Sequence, residues 1–465
     1  MAKNSSPLSN KTVVILGLTK STAQLARTLQ QKGATVKVSE ANPKDNVLEA
    51  ARELSALKPE PETEFGKNSP AFFEGAHQVV VADGIRADTP PLPELAAKGI
   101  PVAGETEILL REVDIPIIAV AGTGGKTTVA LLLKAMFDTA GRKAVYVGDM
   151  GESLAGFVAS GASPEYLILE LSSERLENLR GFRPQISVLT SMQPPFPDRY
   201  TSPEEFQAVM RNMIRNLDEK CAIIYNFRDA NLKNLVLGNP APKWVYRRKD
   251  PALLGPEIAR IYKGSFLVNQ REMVWTDTKD RELYDVRDFR PFGLHNKDNL
   301  MAALNVAKLA GLHRDAIQQT IRNFDPVPHR LEFVKKKGGV RIVNDSRATG
   351  IHTLRVALEA FPLDPVILIA GGRDAQSDFT QLTDVVKGRV KTLILVGEAK
   401  EHINRCLGDH TETYLVGTFE EAVLMSYQKS REGDVILLAP GCESYDMFVS
   451  YEERGNYFKK YVDEI

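Results

Sequence analysis

The chain has 465 residues, 43% hydrophobic and 26% charged, the composition of a folded globular protein with room for about three domains. Its 59 basic and 60 acidic residues leave a net charge of −1, so bulk electrostatics attract neither nucleic acid nor an anionic membrane. Cys221, Cys406 and Cys442 lie far apart, which excludes a disulfide framework and suits a reducing cytoplasm; residues 1–10 lack the apolar core of a signal peptide, and no apolar run is long enough to span a bilayer.

The first predicted strand is Thr12-Val13-Val14-Ile15-Leu16. Gly17-Leu18-Thr19-Lys20-Ser21-Thr22 follows, then a helix pattern over 23–32 that Gly33 stops, and a strand over 35–38. This is a βαβ start. Its turn has the outline of a dinucleotide-binding fingerprint, but Thr19 and Thr22 stand where the second and third glycines belong, so the turn assigns no ligand by itself. Glu40, just past the second strand, can meet a ribose hydroxyl or serve as a solvated loop carboxylate. A strand over 78–82 leads into Asp83-Gly84-Ile85, and this module closes near Asp114-Ile115-Pro116.

The second module opens on the most specific segment of the chain. The apolar strand Ile117-Ile118-Ala119-Val120-Ala121 runs into Gly122-Thr123-Gly124-Gly125-Lys126-Thr127-Thr128, and a helix pattern over 128–140 ends at Gly141. Strand, glycine turn and helix in that order cradle a nucleotide triphosphate: backbone N–H groups face the phosphates, Lys126 neutralises them, and the Thr127 hydroxyl can hold Mg²⁺. Val120 stands where the longest form of the motif has a glycine, so the match is to a shorter form. Strands over 144–147, 166–170 and 185–189 imply a largely parallel sheet. Glu170 ends one of them, where a carboxylate reaches the phosphate end of the sheet and can bind Mg²⁺. Residues 240–251 read as loops, and the module ends near Pro291.

The third module opens with Phe292-Gly293-Leu294-His295-Asn296-Lys297-Asp298-Asn299, a polar loop entering an alanine-rich helix. Asn296 and Asn299 can bind a base or ribose, or cap the helix. Strands over 366–370, 392–396 and 435–438 are continuous apolar runs, as strands buried on both faces are.

Several segments then fall into a recognisable order. They are residues 122–128, Glu170-Leu171-Ser172-Ser173, Asp198-Arg199-Tyr200, Gly293-Leu294-His295-Asn296 and Pro328-His329-Arg330-Leu331-Glu332. Asn344-Asp345-Ser346, Gly371-Gly372, Ser444-Tyr445-Asp446 and Tyr451-Glu452-Glu453-Arg454-Gly455 complete the set. Over nearly the whole chain it resembles the Mur ligases, in particular those that add D-glutamate to UDP-N-acetylmuramoyl-L-alanine. The resemblance implies an α/β protein of three domains. Residues 1–114 would be a Rossmann-like UDP-sugar domain, 115–291 a central parallel-sheet ATPase of the phosphate-loop type, and 292–465 a Rossmann-like amino-acid domain. It implies a monomeric, cytoplasmic, ATP- and Mg²⁺-dependent amide ligase of peptidoglycan precursor synthesis, working through an acyl phosphate.

By the same resemblance, ATP meets Gly122, Thr123, Gly124, Gly125, Lys126, Thr127, Thr128, Asn296, Asn299, Arg330 and Asp345. Lys126, Thr127 and Glu170 serve catalysis, and Thr127 and Glu170 hold Mg²⁺. The UDP-sugar meets Gly17, Leu18, Thr19, Ser39, Glu40, Asp149 and Ser173. The amino acid meets Arg347, Thr349, Ser444, Tyr445 and Tyr451.

The departures from the family pattern cluster at the reaction centre. Phe196 takes the place of a histidine that serves a second metal, and Met210 that of a lysine whose carbamate binds it; residues 201–219, expected as one helix, contain no lysine. Asp149 and Gly350 each replace an asparagine, and Arg347 and Ala375 each replace a lysine. An arginine can still bind a carboxylate, with different geometry. Two expectations follow: an active ligase, with one essential metal or an altered amino acid, or a relative that binds nucleotide and UDP-sugar with weak activity. An unrelated phosphate-loop ATPase or a polyglutamate-type ligase is a third class, which would bind nucleotide without UDP-sugar.

Overall fold

The computed structural model describes residues 8–193, 199–250, 262–277, 279–374 and 377–464. Phe196, Asp198 and Ala375 lie outside the described residues. The described chain divides into two compact units: Met1–Asp285 with Asp298–Thr320, and Val286–Lys297 with Ile321–Ile465.

The first unit contains two sheets. Thr12–Leu16 forms as predicted, and its residues Val13, Val14 and Ile15 are fully buried. It is the middle of a five-stranded parallel sheet, with Thr35–Glu40 and then Glu62–Phe65 on one side and Gln78–Val81 and then Val102–Gly104 on the other. The helix after the first strand, Lys20–Gln31, starts earlier than its hydrophobic periodicity suggests. Thr19 and Thr22 are the reason. The Thr19 hydroxyl accepts from the Thr22 N–H at 3.1 Å, and the Thr22 hydroxyl accepts from the Thr19 N–H at 2.8 Å. This reciprocal cap satisfies helix donors that glycines would leave open. Gly33 ends the turn at φ +87°.

The second sheet has nine strands, with Ile117–Ala121 inside it between Tyr166–Leu171 and Ile186–Leu189. Its strands are parallel except for the hairpin Glu272–Thr276 and Arg281–Asp285, which adds to the strand Gly264–Leu267 antiparallel and forms one edge of the sheet. Two sequence expectations need correction here. Within 240–251, Lys243–Arg247 is a strand with Trp244, Val245 and Tyr246 buried. The prolines around it do not forbid this, because a proline lacks only the donor: the Pro242 carbonyl accepts from the Ile223 N–H at 2.9 Å. Within 201–219, the helix spans only Pro203–Arg211. Asparagines turn the following chain away: Asn212 donates to the Leu176 carbonyl at 2.8 Å, and Asn216 to the Arg180 carbonyl at 2.7 Å.

Residues from Asp298 to Thr320 belong to this first unit. Asn305 ties them to the sheet, donating to the Val245 carbonyl at 3.1 Å and accepting from the Ser265 hydroxyl at 2.8 Å.

The second unit is built on a six-stranded sheet in the order Glu332–Lys337, Val340–Asn344, Val435–Leu438, Val366–Gly371, Val390–Val396, Glu412–Leu415. Only the first pair is antiparallel. Val435–Leu438 and Val366–Gly371 are fully buried, as their unbroken apolar runs require.

Candidate active site

The phosphate loop leaves the end of Ile117–Ala121, and the helix Lys126–Thr139 rises directly from it. Gly122 and Gly125 hold φ of +146° and +82°, where L side chains are strained. A Cβ on Gly122 would also lie 2.8 Å from the Ser191 backbone, and one on Gly125 would run into the Asn299 amide. The turn after the neighbouring strand pins the loop: the Thr123 N–H donates to the Ser191 carbonyl at 2.9 Å, the Gly124 N–H to the Ser191 hydroxyl at 3.0 Å, and the Thr190 hydroxyl to the Gly124 carbonyl at 2.5 Å. Lys126 Nζ lies 3.0 Å from the Gly122 carbonyl, folded over the loop it would neutralise.

Thr127 and Glu170 meet in the structure. The Thr127 hydroxyl donates to Glu170 Oε1 at 2.8 Å, and the Tyr146 hydroxyl donates to Oε2 at 2.5 Å. The carboxylate is 3% exposed. Burial and this bond to Glu170 push the Tyr146 phenol far above its ordinary range, so it stays a donor. A Cβ on Gly148 would come within 2.8 Å of Glu170 Oε2, so this carboxylate is walled in on that side too. The sequence does not single out Tyr146, Gly148, Thr190 or Ser191 as site residues; only the pairing of Tyr146 with Ile168, on the strand that carries Glu170 near its end, brings the phenol there.

These residues fit one Mg²⁺. Thr127 and Glu170 offer oxygen ligands at the foot of a phosphate cradle, and Mg²⁺ takes few protein ligands and fills its octahedron with phosphates and water. No cluster of three or more His, Cys, Asp or Glu suited to a metal occurs among the described residues. Met210 is 1% exposed, in the apolar core that contains Phe206 and Met213, and has no ligand atom for a hard cation.

At the first sheet, Gly17, Leu18, Thr19 and Glu40 share one strand-end. The Leu18 N–H donates to Glu40 Oε2 at 2.6 Å, and the Asn42 N–H and amide both donate to Oε1 at 2.7 Å. Glu40 is therefore an organised carboxylate rather than a solvated one. Ser39 is fully buried and donates to Asn68 Oδ1 at 2.8 Å. Asp149, exposed, lies on the turn after the strand Ala144–Val147, and Ser173, half-buried, starts the short helix Ser173–Glu177 after Tyr166–Leu171.

In the second unit, Arg330 is held between His329 and Leu331, at φ +60° and +46°, values uncommon for residues other than glycine. Asp345 accepts from the Leu331 N–H at 3.1 Å, and burial pushes its carboxyl up to about 7. Asn296 donates to the Phe292 carbonyl at 2.7 Å. The Arg347 guanidinium lies over the Tyr451 ring, 4.4 Å from its centroid. Thr349 and Gly350 lead into the helix Ile351–Glu359. Ser444 is 1% exposed, and its hydroxyl has no hydrogen-bond partner among the described residues, whereas Tyr445 is exposed. The sequence shows Arg454 only as part of the segment Tyr451-Glu452-Glu453-Arg454-Gly455. Its fully buried guanidinium donates to Ser346 Oγ at 3.0 Å, the Ser346 carbonyl at 2.8 Å and the Cys442 carbonyl at 3.1 Å, which fixes the Asn344–Ser346 turn from below.

Known families bear directly on this arrangement. Residues 120–307 match the Mur ligase middle domain, and residues 329–442 match the Mur ligase, glutamate ligase domain. Proteins described as UDP-N-acetylmuramoylalanine–D-glutamate ligase are similar over the full length: one from Bdellovibrio bacteriovorus is 38% identical, covering 99% of both chains, and one from Geotalea uraniireducens is 34% identical, covering 98% of both. The fold is similar to that of a pseudomurein peptide ligase type C from Methanothermus fervidus, with a TM-score of 0.59 at 15% identity over 98% of this chain and 100% of that one. It is also similar to the UDP-N-acetylmuramate-alanine ligase of Thermotoga maritima, with a TM-score of 0.56 at 15% identity over the same shares of the two chains. A pinned phosphate loop beside a threonine–carboxylate pair, matched by similarity along the whole chain, leads to one conclusion: the chain belongs to the Mur ligase family.

Proposed function

We propose that this chain is an ATP-dependent ligase that joins D-glutamate to UDP-N-acetylmuramoyl-L-alanine in peptidoglycan precursor synthesis. The observation that carries the reading is the Thr127–Glu170–Tyr146 chain beside Lys126 at the phosphate loop. Full-length relatives of that activity supply the substrate pair.

In this reading the first sheet holds the UDP-sugar through Gly17, Leu18, Thr19, Ser39 and Glu40, with Asp149 and Ser173 toward the acyl end. The second sheet holds ATP at residues 122–128, with Asn299 against the loop. Asn296, Arg330 and Asp345 serve the nucleotide, and Arg347, Thr349, Ser444, Tyr445 and Tyr451 the amino acid. An oxygen of the substrate's terminal carboxylate attacks the γ-phosphorus, and the bond to ADP breaks. The amino-acid nitrogen then attacks the acyl carbon, loses a proton, and phosphate leaves. Lys126 and the loop N–H groups stabilise the negative charge that builds on the transferring phosphoryl oxygens. Thr127 and Glu170 would hold Mg²⁺, which neutralises phosphate charge when bound. A monomeric cytoplasmic enzyme is part of the reading; no helix among the described residues is long and apolar enough to cross a membrane.

A second reading, a relative that binds nucleotide and UDP-sugar with weak turnover, is favoured by one observation: Met210 is sealed in the core. Phosphate release with UDP-N-acetylmuramoyl-L-alanine and a panel of amino acids separates the two. The ligase reading expects D-glutamate-dependent release that Lys126→Ala lowers by about 100- to 1000-fold. Release no greater than that of Lys126→Ala with every amino acid leaves only the binding reading.

A further inference from the structure

One short loop of the first sheet reaches both halves of this chemistry. Residues 82–88 follow the strand Gln78–Val81. Toward the first sheet, the loop closes over the Gly17 turn: a Cβ on Gly17 would lie 2.7 Å from Ile85 Cδ1 and 2.9 Å from Ala82 Cβ. Toward the second sheet, it grips the segments just beyond Glu170. Asp83 Oδ2 pairs with Arg175 Nε at 3.1 Å, and Arg175 Nη1 in turn lies 3.5 Å from the Glu170 carbonyl. The Asn178 amide donates to the Ile85 carbonyl at 3.1 Å. Arg86 donates to the Arg199 carbonyl at 2.8 Å and to Glu205 Oε1 at 3.2 Å. Arg199 and Tyr200 are themselves anchored, both donating to Glu177.

The loop's own charges are braced from behind. The Thr106 hydroxyl donates to Asp83 at 2.8 Å. Glu105, 5% exposed beside Asp83, has its carboxyl pushed well above the usual carboxylate range, first by burial and then by the Asp83 charge. Burial raises the Asp83 carboxyl too, and the Arg175 guanidinium 3.1 Å away opposes that rise. Partly exposed ion pairs of this kind add little stability. What they do supply is geometry: one rigid connection between the turn that would hold the UDP-sugar and the strand-end that would hold Mg²⁺.

We propose that the loop 82–88 is a positioning element of the ligase, in which Asp83 and Arg86, through Arg175 and the Arg199 carbonyl, set the UDP-sugar turn against the Glu170 strand-end. The proposal rests on the ligase reading of the site. None of these residues touches the reacting atoms; each acts through another.

The test is steady-state kinetics of Asp83→Asn, Arg175→Gln and Arg86→Ala in the full chain, with melting temperatures alongside. Misplacing reacting groups lowers turnover, so kcat should fall by about 10- to 100-fold while KM for ATP stays within about twofold. The pair Asp83→Asn/Arg175→Gln should lose no more than either single change, because both break one interaction. Arg175→Lys, which keeps the charge, should recover part of the turnover. Unchanged kcat, or a fall matched by a lower melting temperature and removed by assaying in the cold, overturns the proposal. A wild-type chain without turnover removes the ligase reading instead. The loop is then judged by calorimetry with the ATP analogue AMP-PNP and Mg²⁺. There the three variants must weaken the dependence of AMP-PNP affinity on bound UDP-N-acetylmuramoyl-L-alanine, and an unchanged or absent dependence overturns the proposal.

Discussion

The phosphate loop of the first unit and the Asp345–Ser444 region of the second solve opposite problems. At the phosphate loop the polar groups have partners before any ligand arrives: Thr127 and Tyr146 both donate to Glu170, and Ser191 and Thr190 pin the glycines. In the second unit, buried groups are left in costly states. The Ser444 hydroxyl and Asp446 Oδ1 have no partner among the described residues, the Asp345 carboxyl is pushed up by burial, and two non-glycine residues flank Arg330 at positive φ. An unsatisfied buried polar group costs about 1–3 kcal/mol, and uncommon backbone conformations add to that. The contrast has a physical logic. Groups already paired need no rearrangement when a ligand arrives, whereas unpaired buried groups carry a cost that a ligand offering partners would remove.

The contrast can be broken most decisively through Asp345. Its carboxyl is raised from 3.8 to about 7 with burial as the main cause. The folded state therefore holds this proton more tightly than the unfolded chain. The associated stability is fully present below pH 3.8 and is lost as pH rises through 7, an effect on the order of 4 kcal/mol. Asp345→Asn should flatten that fall in denaturant titrations run from pH 5 to pH 8. Equal slopes in both proteins would mean that Asp345 carries no such penalty.

A smaller effect is expected at the other pole. Tyr146→Phe leaves Glu170 Oε2 without its donor, and loss of a partner behind a metal ligand typically weakens the metal by about 10- to 100-fold. The Mg²⁺ concentration for half-maximal phosphate release should rise accordingly. If it does not move, the preorganisation assigned to this carboxylate is idle.

The smallest effect sharpens the comparison. Ser444→Ala deletes a buried hydroxyl that makes no hydrogen bond among the described residues, so unfolding free energy without ligand should rise by about 1 kcal/mol, and KM for the amino acid should also rise. A stability loss above about 1 kcal/mol would show that the hydroxyl is satisfied in the free protein.

Much of the central site was legible because its signal is local. An apolar strand, a glycine turn and Lys126-Thr127 carry their own geometry, and Glu170 could be placed because it follows an apolar run, although the strand continues one residue further, to Leu171. The strand Lys243–Arg247 was obscured because prolines signal a break, although only their missing N–H matters. The short helix Pro203–Arg211 was overextended because asparagines that bond to distant carbonyls look, in sequence, like ordinary helix surface. Thr19 and Thr22 read as defects in a fingerprint until the structure showed them capping each other.

Local order and chemical type were thus set by the chain itself: which segments are strands buried on both faces, where a triphosphate can be cradled, and which residue types lie near it. Tertiary structure alone decided that Tyr146 donates to Glu170, that Arg454 braces Ser346, and that the loop 82–88 spans from Gly17 to Arg199. Each of these depends on strand order in a sheet or on a side chain crossing between elements distant in sequence. No periodicity along one segment encodes such a contact, because its energy exists only once both segments are folded.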